Sequence, residues 1–220
     1  MIHIFGGGTI SHIRNHLAIC APAYGATANK LFNLFWDYGM SVELHLTKMA
    51  DKKSKLETNE DIANKIDELL GHRSTKAIVM NAALCDYDGF VLSDGVQTKS
   101  GKYAERLKTN LGRQNVLFVP ATKVIGGIKA KRPDVFVVGF KTTAGATEFD
   151  QVVAASKLFG CCDIVVANDT INRSTIICEG IDNSSPYGSR TDNSSPYGSR
   201  REDALENLVR RVSDAVANII

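Results

Sequence analysis

Residues 2–9 read IHIFGGGT, a short apolar strand pattern that runs directly into Gly6, Gly7, Gly8 and Thr9. Glycines at the end of a first strand free the backbone from its Cβ restriction. The chain can then turn sharply, or bring its N–H groups close to phosphate oxygens at a helix start. Neither the GxGxxG spacing of a dinucleotide fingerprint nor the GK(S/T) of a P-loop is present, so an ordinary tight turn and a phosphate cradle both fit. Outward from this stretch, strand-like runs recur at 42–46, 77–80, 116–119, 135–140, 164–167 and 175–178. Helical spacing fills 26–38, 59–70, 124–131, 148–159 and 202–219. Short β-rich runs alternating with helices favour βαβ crossovers. The expected fold is therefore α/β: a Rossmann-like, doubly wound, mainly parallel sheet in three layers, with a long flap after the third strand. Ligands of such sheets bind beyond the carboxyl ends of the strands, which directs attention to the loops after Phe5, Met80 and Phe140.

Composition sets the frame. A chain of 220 residues, 44% hydrophobic and 23% charged, can bury a core as a single domain over 1–220. No apolar run is long enough to span a bilayer, and the N-terminus lacks a charged, cleavable leader pattern, so a cytoplasmic location is expected. The five cysteines, Cys20, Cys85, Cys161, Cys162 and Cys178, form no CxxC and read as small hydrophobes in a reducing compartment. The net charge is only +2, yet from Lys99 to Arg132 nine basic residues face the single acid Glu105. That stretch is either a solvated face or a phosphate-handling surface. Only Tyr103 and Phe118 interleave its charges and no nucleic-acid module is recognisable, so nucleic acid is not the expected partner.

Several local features carry two readings. Asp86 follows the run AIVMNAALC and stands at the ligand edge if that run is a central strand, or else caps a turn. The connection 85–115 is long enough to be a lid or binding flap. His12, His16 and Cys20 are spaced for one helix face as metal ligands, but Asn15, Ala21 and Pro22 suggest an irregular loop, so no protein metal site is expected. No Ser-His-Asp or Cys-His signature is found. Residues 181–190 and 191–200 are a near-perfect tandem repeat, IDNSSPYGSR and TDNSSPYGSR, built from turn formers and expected to be an exposed duplicated loop.

Read together and in order, these motifs resemble the phosphopantothenate-cysteine ligase family over nearly the whole chain. The (G/A)G(G/P)T turn is matched by Gly7, Gly8 and Thr9, and the AAVxDY strand end by Ala82, Ala83, Leu84, Cys85, Asp86 and Tyr87. The GKI-type flap lysine is similar to Gly101, Lys102 and Tyr103. The P-x-(K/D)-(I/L) helix opening is similar to Pro120, Ala121, Thr122, Lys123, Val124 and Ile125. Val138, Gly139, Phe140, Lys141, Thr142 and Thr143 resemble VGF(A/K)xET; Lys157 matches a helix lysine; Val165, Val166, Ala167, Asn168 and Asp169 match (I/V)VAND.

The resemblance implies a ligase of coenzyme A biosynthesis. It would activate 4'-phosphopantothenate with CTP or ATP and Mg2+ as an acyl nucleotide, then couple it to cysteine, working as a homodimer. It implies nucleotide binding by Gly7, Gly8, Thr9, Ala82, Asp86, Thr122, Lys123, Val124, Ile125, Phe140 and Lys157, and catalysis by Lys102 and Asn15. The family's Asn and Ser-Ser-Gly element falls on RNHLAICAPAYGAT, where Asn15 is the only counterpart and Ser-Ser-Gly is missing. A second helix lysine is replaced near Gly160. A ligase for another carboxylate and a nucleotide-binding module without turnover are the other readings.

Overall fold

The structure, a computed structural model, describes residues 1–93, 95–179 and 201–218. The duplicated unit at 181–200 lies outside them. Among the described residues a six-stranded sheet has the order β11-β10-β9-β5-β1-β4. Its members are β1 (Ile2–Gly6), β4 (Val42–Leu46), β5 (Ala77–Met80), β9 (Phe136–Thr143), β10 (Ile164–Asp169) and β11 (Thr175–Glu179). Every pairing is parallel except that of the edge strand β11 with β10. The chain winds outward from β1 in both directions, so the topological switch lies between β1 and β5, where doubly wound sheets open a crevice.

Alternation along β1 sets the two faces. Ile2 and Ile4 join α1 (Ala26–Asp37) and α5 (Arg201–Ala217) through Leu31, Phe35, Leu208 and Val212. Phe5 faces the other way, toward α2 (Asn59–Leu70), α3 (Gly126–Lys131) and α4 (Glu148–Ser156), with Ile62, Ile66, Ile128 and Ala155. The result is the expected three-layer α/β architecture. Helix starts follow their sequence signals: Thr58 caps α2 and Thr147 caps α4, each in a reciprocal capping box with Asp61 and Asp150. Gly6 is required where α1 crosses β1, because a Cβ there would stand 2.2 Å from that of Ala28.

Two expectations are corrected. The segment holding His12, His16 and Cys20 is neither a helix face nor irregular but an antiparallel hairpin, β2 (Ile10–Arg14) and β3 (Leu17–Cys20). Within β2 only Ile13 is buried, while Ile10, Ser11, His12 and Arg14 are half-buried. The long connection also contains regular structure. Strand 116–119 belongs not to the central sheet but to a separate three-stranded antiparallel sheet, β7-β6-β8. That sheet is formed by β6 (Tyr87–Ser93), β7 (Val96–Gln97) and β8 (Asn115–Pro120). The flap proper is what hangs between β7 and β8.

Candidate functional site

A cleft of about 720 Å³ lies where the flap, the hairpin, the start of α2 and the turn into α3 converge. Hairpin and flap hold each other. Arg14 Nη2 donates to Thr98 Oγ1 at 2.8 Å, Gly101 N to the Ile13 carbonyl at 3.2 Å and Asn15 N to that of Ala104 at 3.1 Å. Gly89 of β6 lets the hairpin sit down on it, since a Cβ there would lie 2.8 Å from the Ile13 side chain. This docking carries Gly101, Lys102 and Tyr103 into the lining of the cleft, to which Ala121 to Val124 also contribute.

Charge at the cleft is arranged in pairs. Lys102 Nζ donates to Glu57 Oε2, and Lys123 Nζ to Asp86 Oδ1. Glu57 directly precedes the Thr58 cap and is well shielded, with 13% of its side chain exposed; Lys48 Nζ is 3.6 Å from its other oxygen. The hydrogen bond from Lys102 holds the Glu57 carboxyl below its ordinary range, and the same bond pushes the Lys102 ammonium up. His12 Nε2 is buried in the cleft wall. Glu57 Oε1 stands 3.4 Å from it, outside hydrogen-bond geometry, so this nitrogen has no hydrogen-bond partner among the described residues. Lys131 reaches the cleft from α3 and pairs with Asp67 at 2.6 Å. The cleft thus concentrates ammonium groups around the N-terminus of a twelve-residue helix, an arrangement suited to phosphate oxygens.

Of the residues singled out in the sequence, Lys102, Thr122, Lys123 and Val124 line this cleft. Asp86 borders it through Lys123. Ile125 opens α3 and packs into the core beneath. The others stand elsewhere. Asn15 is exposed at the hairpin tip, its amide oxygen against His16 Nδ1 at 3.0 Å. Phe140 packs on the α1/α5 side of the sheet, and Lys157 is the exposed C-cap of α4.

The glycine turn spends its amides on protein: Gly8 N donates to the Ala23 carbonyl at 2.8 Å and Thr9 N to that of Ala83 at 3.0 Å. The buried Thr9 hydroxyl donates to Asn59 Oδ1 at 2.6 Å and accepts from Cys85 N at 2.9 Å, joining the turn, α2 and the segment after β5. Ala82 packs against the core. Asp169, the end of VAND, accepts from four backbone amides, those of Gly145, Ala146, Ile171 and Asn172, and from the Thr143 hydroxyl. It ties the loop after β9 to the loop after β10.

Sequence reasoning did not single out Ser11, Glu57, Asn59 or Asp88, all of which bound the cleft or hold its walls. One signal was available. Thr58-Asn59-Glu60-Asp61 ahead of an apolar run is a capping-box pattern, which marks an anion-attracting helix start.

No protein-family model and no curated protein sequence matches the chain. Solved structures do. The DNA/pantothenate metabolism flavoprotein from Streptococcus pneumoniae superposes with a TM-score of 0.73 at 19% identity, over 97% of this chain and 98% of that one. The C-terminal domain of the coenzyme A biosynthesis bifunctional protein CoaBC gives 0.64 at 15% identity, over 97% and 95%. A Cab2 mutant in complex with phosphopantothenate-cysteine gives 0.61 at 11% identity, over 99% and 86%. The fold is the one these proteins share. At such identities it is the fold that is established, in agreement with the ligase-like architecture expected from the motifs. Among the described residues, no helix is long and apolar enough to cross a membrane.

Proposed function

We propose that this chain is a nucleoside-triphosphate-dependent ligase that activates 4'-phosphopantothenate as an acyl nucleotide and couples it to cysteine. The observation that carries this reading is the presence of Lys102 and Lys123 in the lining of one cleft, each held by a carboxylate that a triphosphate can replace. The shared fold with a protein solved in complex with phosphopantothenate-cysteine supports the choice of acid and amine.

In the first step a carboxylate oxygen attacks the α-phosphorus; the new O–P bond forms as the bond to the β-phosphate breaks, and pyrophosphate leaves. Negative charge then moves toward the leaving phosphates, where an ammonium in a water-poor site stabilises the transition state more than the ground state. Lys102 fits this task because its wall is a docked loop rather than a core element, and loops of this kind close over substrates. Lys123 and Lys131 hold phosphate oxygens on the α3 side. In the second step the cysteine amine attacks the acyl carbon, forms the amide and releases the nucleoside monophosphate with loss of a proton.

The cleft also presents the carboxylates of Glu60 and Asp88, oxygen donors of the kind Mg2+ accepts beside phosphate oxygens. A magnesium ion held by one of them would neutralise triphosphate charge. The absence of Ser-Ser-Gly beside Asn15 bears on recognition of the acid rather than on this lysine-lined cleft.

The test is pyrophosphate release with CTP, ATP, GTP or UTP and Mg2+, with and without 4'-phosphopantothenate and cysteine. The ligase releases pyrophosphate only when the acid is present. Nucleotide binding with no release under any combination overturns the proposal.

A further inference from the structure

A second cluster of chemically able side chains lies apart from the cleft, on the α2 face of the sheet's edge. The parallel register pairs His3 with Glu43 and Phe5 with His45, so alternate residues of β1 and of the edge strand β4 stand side by side. His3 Nδ1 lies 3.1 Å from His45 Nε2 and 3.3 Å from Glu43 Oε2, and the last two atoms are 3.8 Å apart. Both imidazoles are buried, and the His45 ring stacks on Phe5. Half of the Glu43 side chain reaches solvent.

The hydrogen-bond pattern fixes what His3 presents. Thr75 Oγ1 donates its only proton to the Leu69 carbonyl at 2.6 Å, so its contact with His3 Nε2 at 3.3 Å requires an Nε2–H on His3. In the neutral ring Nδ1 then carries a lone pair, aimed at the point shared by His45 Nε2 and the Glu43 carboxylate. Burial, and then the neighbouring His45, push the His3 pKa down to about 4, and burial lowers that of His45. With protons alone, His45 has one Nε2–H to offer two acceptors, and one lone-pair contact stays uncompensated.

We propose that His3 Nδ1, His45 Nε2 and a Glu43 carboxylate oxygen bind a zinc ion, with the fourth position open to solvent. Tetrahedral zinc with bonds of roughly 2.0–2.1 Å sets its donors about 3.3 Å apart, close to the spacing found here. His3 is oriented from behind by Thr75, as metal-bound imidazoles usually are. Among the described residues this is the only group of three or more such donors within metal-binding reach of one another. None of the three lines the cleft. The ion would fasten the edge strand β4 to β1 and, through Thr75 and Leu69, to the end of α2.

The experiment takes the full chain, stripped with a chelator and exchanged into metal-free buffer, and titrates it with Zn2+ by calorimetry, with melting temperature in parallel. Wild type is expected to bind one zinc per chain and to melt several degrees higher with the ion. Glu43→Gln, whose side chain is half exposed and leaves the core intact, should weaken zinc binding about ten-fold or more and abolish the thermal gain. Co2+ should give the visible bands of a four-coordinate site in wild type and not in Glu43→Gln. Absence of stoichiometric zinc binding by wild type overturns the proposal. So does binding unchanged in Glu43→Gln and in His45→Gln, which would place the ion on Cys20 or the Cys161–Cys162 pair instead.

Discussion

Lys102 of the flap donates to Glu57, the residue immediately before the cap of α2, and this contact ties the flap to the helix start beside the cleft. A carboxylate in this place competes with phosphate for the same ammonium. The Lys102 side chain is 44% exposed, and solvent screening at its ammonium keeps the competition modest. Glu57→Gln is expected to tighten binding of the preferred triphosphate on the order of two- to five-fold, measured by calorimetry. Weaker binding would mean that Glu57 organises the cleft, through Lys48 and His12, more than it competes.

If Lys102 stabilises charge only as pyrophosphate departs, its loss should fall on turnover. Lys102→Ala is expected to lower kcat on the order of 100-fold, by analogy with a lost oxyanion donor, with a smaller change in KM. Lys99 is the control, since it does not line the cleft. A dead Lys99→Ala beside a near-normal Lys102→Ala would move the assignment three residues along the flap. Full activity in both would remove the flap from the chemistry.

The contrast between Lys102 and Phe140 shows what the sequence made legible. The alternation of strands and helices made the six central strands legible, since buried parallel strands are continuous apolar runs whose signal is local, as in Val137 and Val138, but it did not show that 116–119 belongs to a separate sheet. Lys102 and Lys123 were singled out through the family resemblance, and both line the cleft. The side of the sheet on which Phe140 lies was not readable, because strand parity becomes visible only once neighbouring strands are in register. The hairpin 10–20 was hidden for another reason. Its strands are short and half exposed, and His12, His16 and Cys20 mimic helical spacing by chance. The cluster of His3, Glu43 and His45 joins strands about forty residues apart, a juxtaposition that no local spacing encodes.

Asp86 and Lys123 form the second pair, with about 70% of each side chain exposed. Neither is positioned to support the core. Asp86→Asn and Lys123→Ala should each leave the melting temperature within about 2 °C of wild type while weakening nucleotide binding. For Lys123→Ala the loss should shrink as salt rises, because it reflects a screened contact with phosphate. A large fall in melting temperature with unchanged nucleotide affinity would make the pair a structural clasp of β6 and the α3 turn.

Asp169 has the opposite character. Its carboxylate is almost fully enclosed and accepts from Asn172 N at 2.7 Å, Ala146 N at 2.8 Å, Ile171 N at 2.9 Å, Gly145 N at 3.0 Å and Thr143 Oγ1 at 2.8 Å. Burial, the largest single influence, favours the neutral acid. The donors from Asn172, Ala146, Gly145 and Thr143 together outweigh it and hold the carboxyl well below the usual range. A carboxyl depressed in the folded state stabilises the fold fully above its unfolded pKa of about 3.9, and that contribution is lost as pH falls from there through the folded value. Asp169→Asn keeps the shape but turns an amide toward the backbone N–H groups, leaving donors facing donors. The variant should therefore melt lower than wild type by about 5 °C or more at pH 7. The gap should narrow as pH is lowered from about 5 to about 3, because wild type loses what the variant never had. Melting curves of both proteins across that range decide the matter: a gap that is absent at pH 7, or that widens in acid, would show that the ionised carboxylate does not hold these loops together.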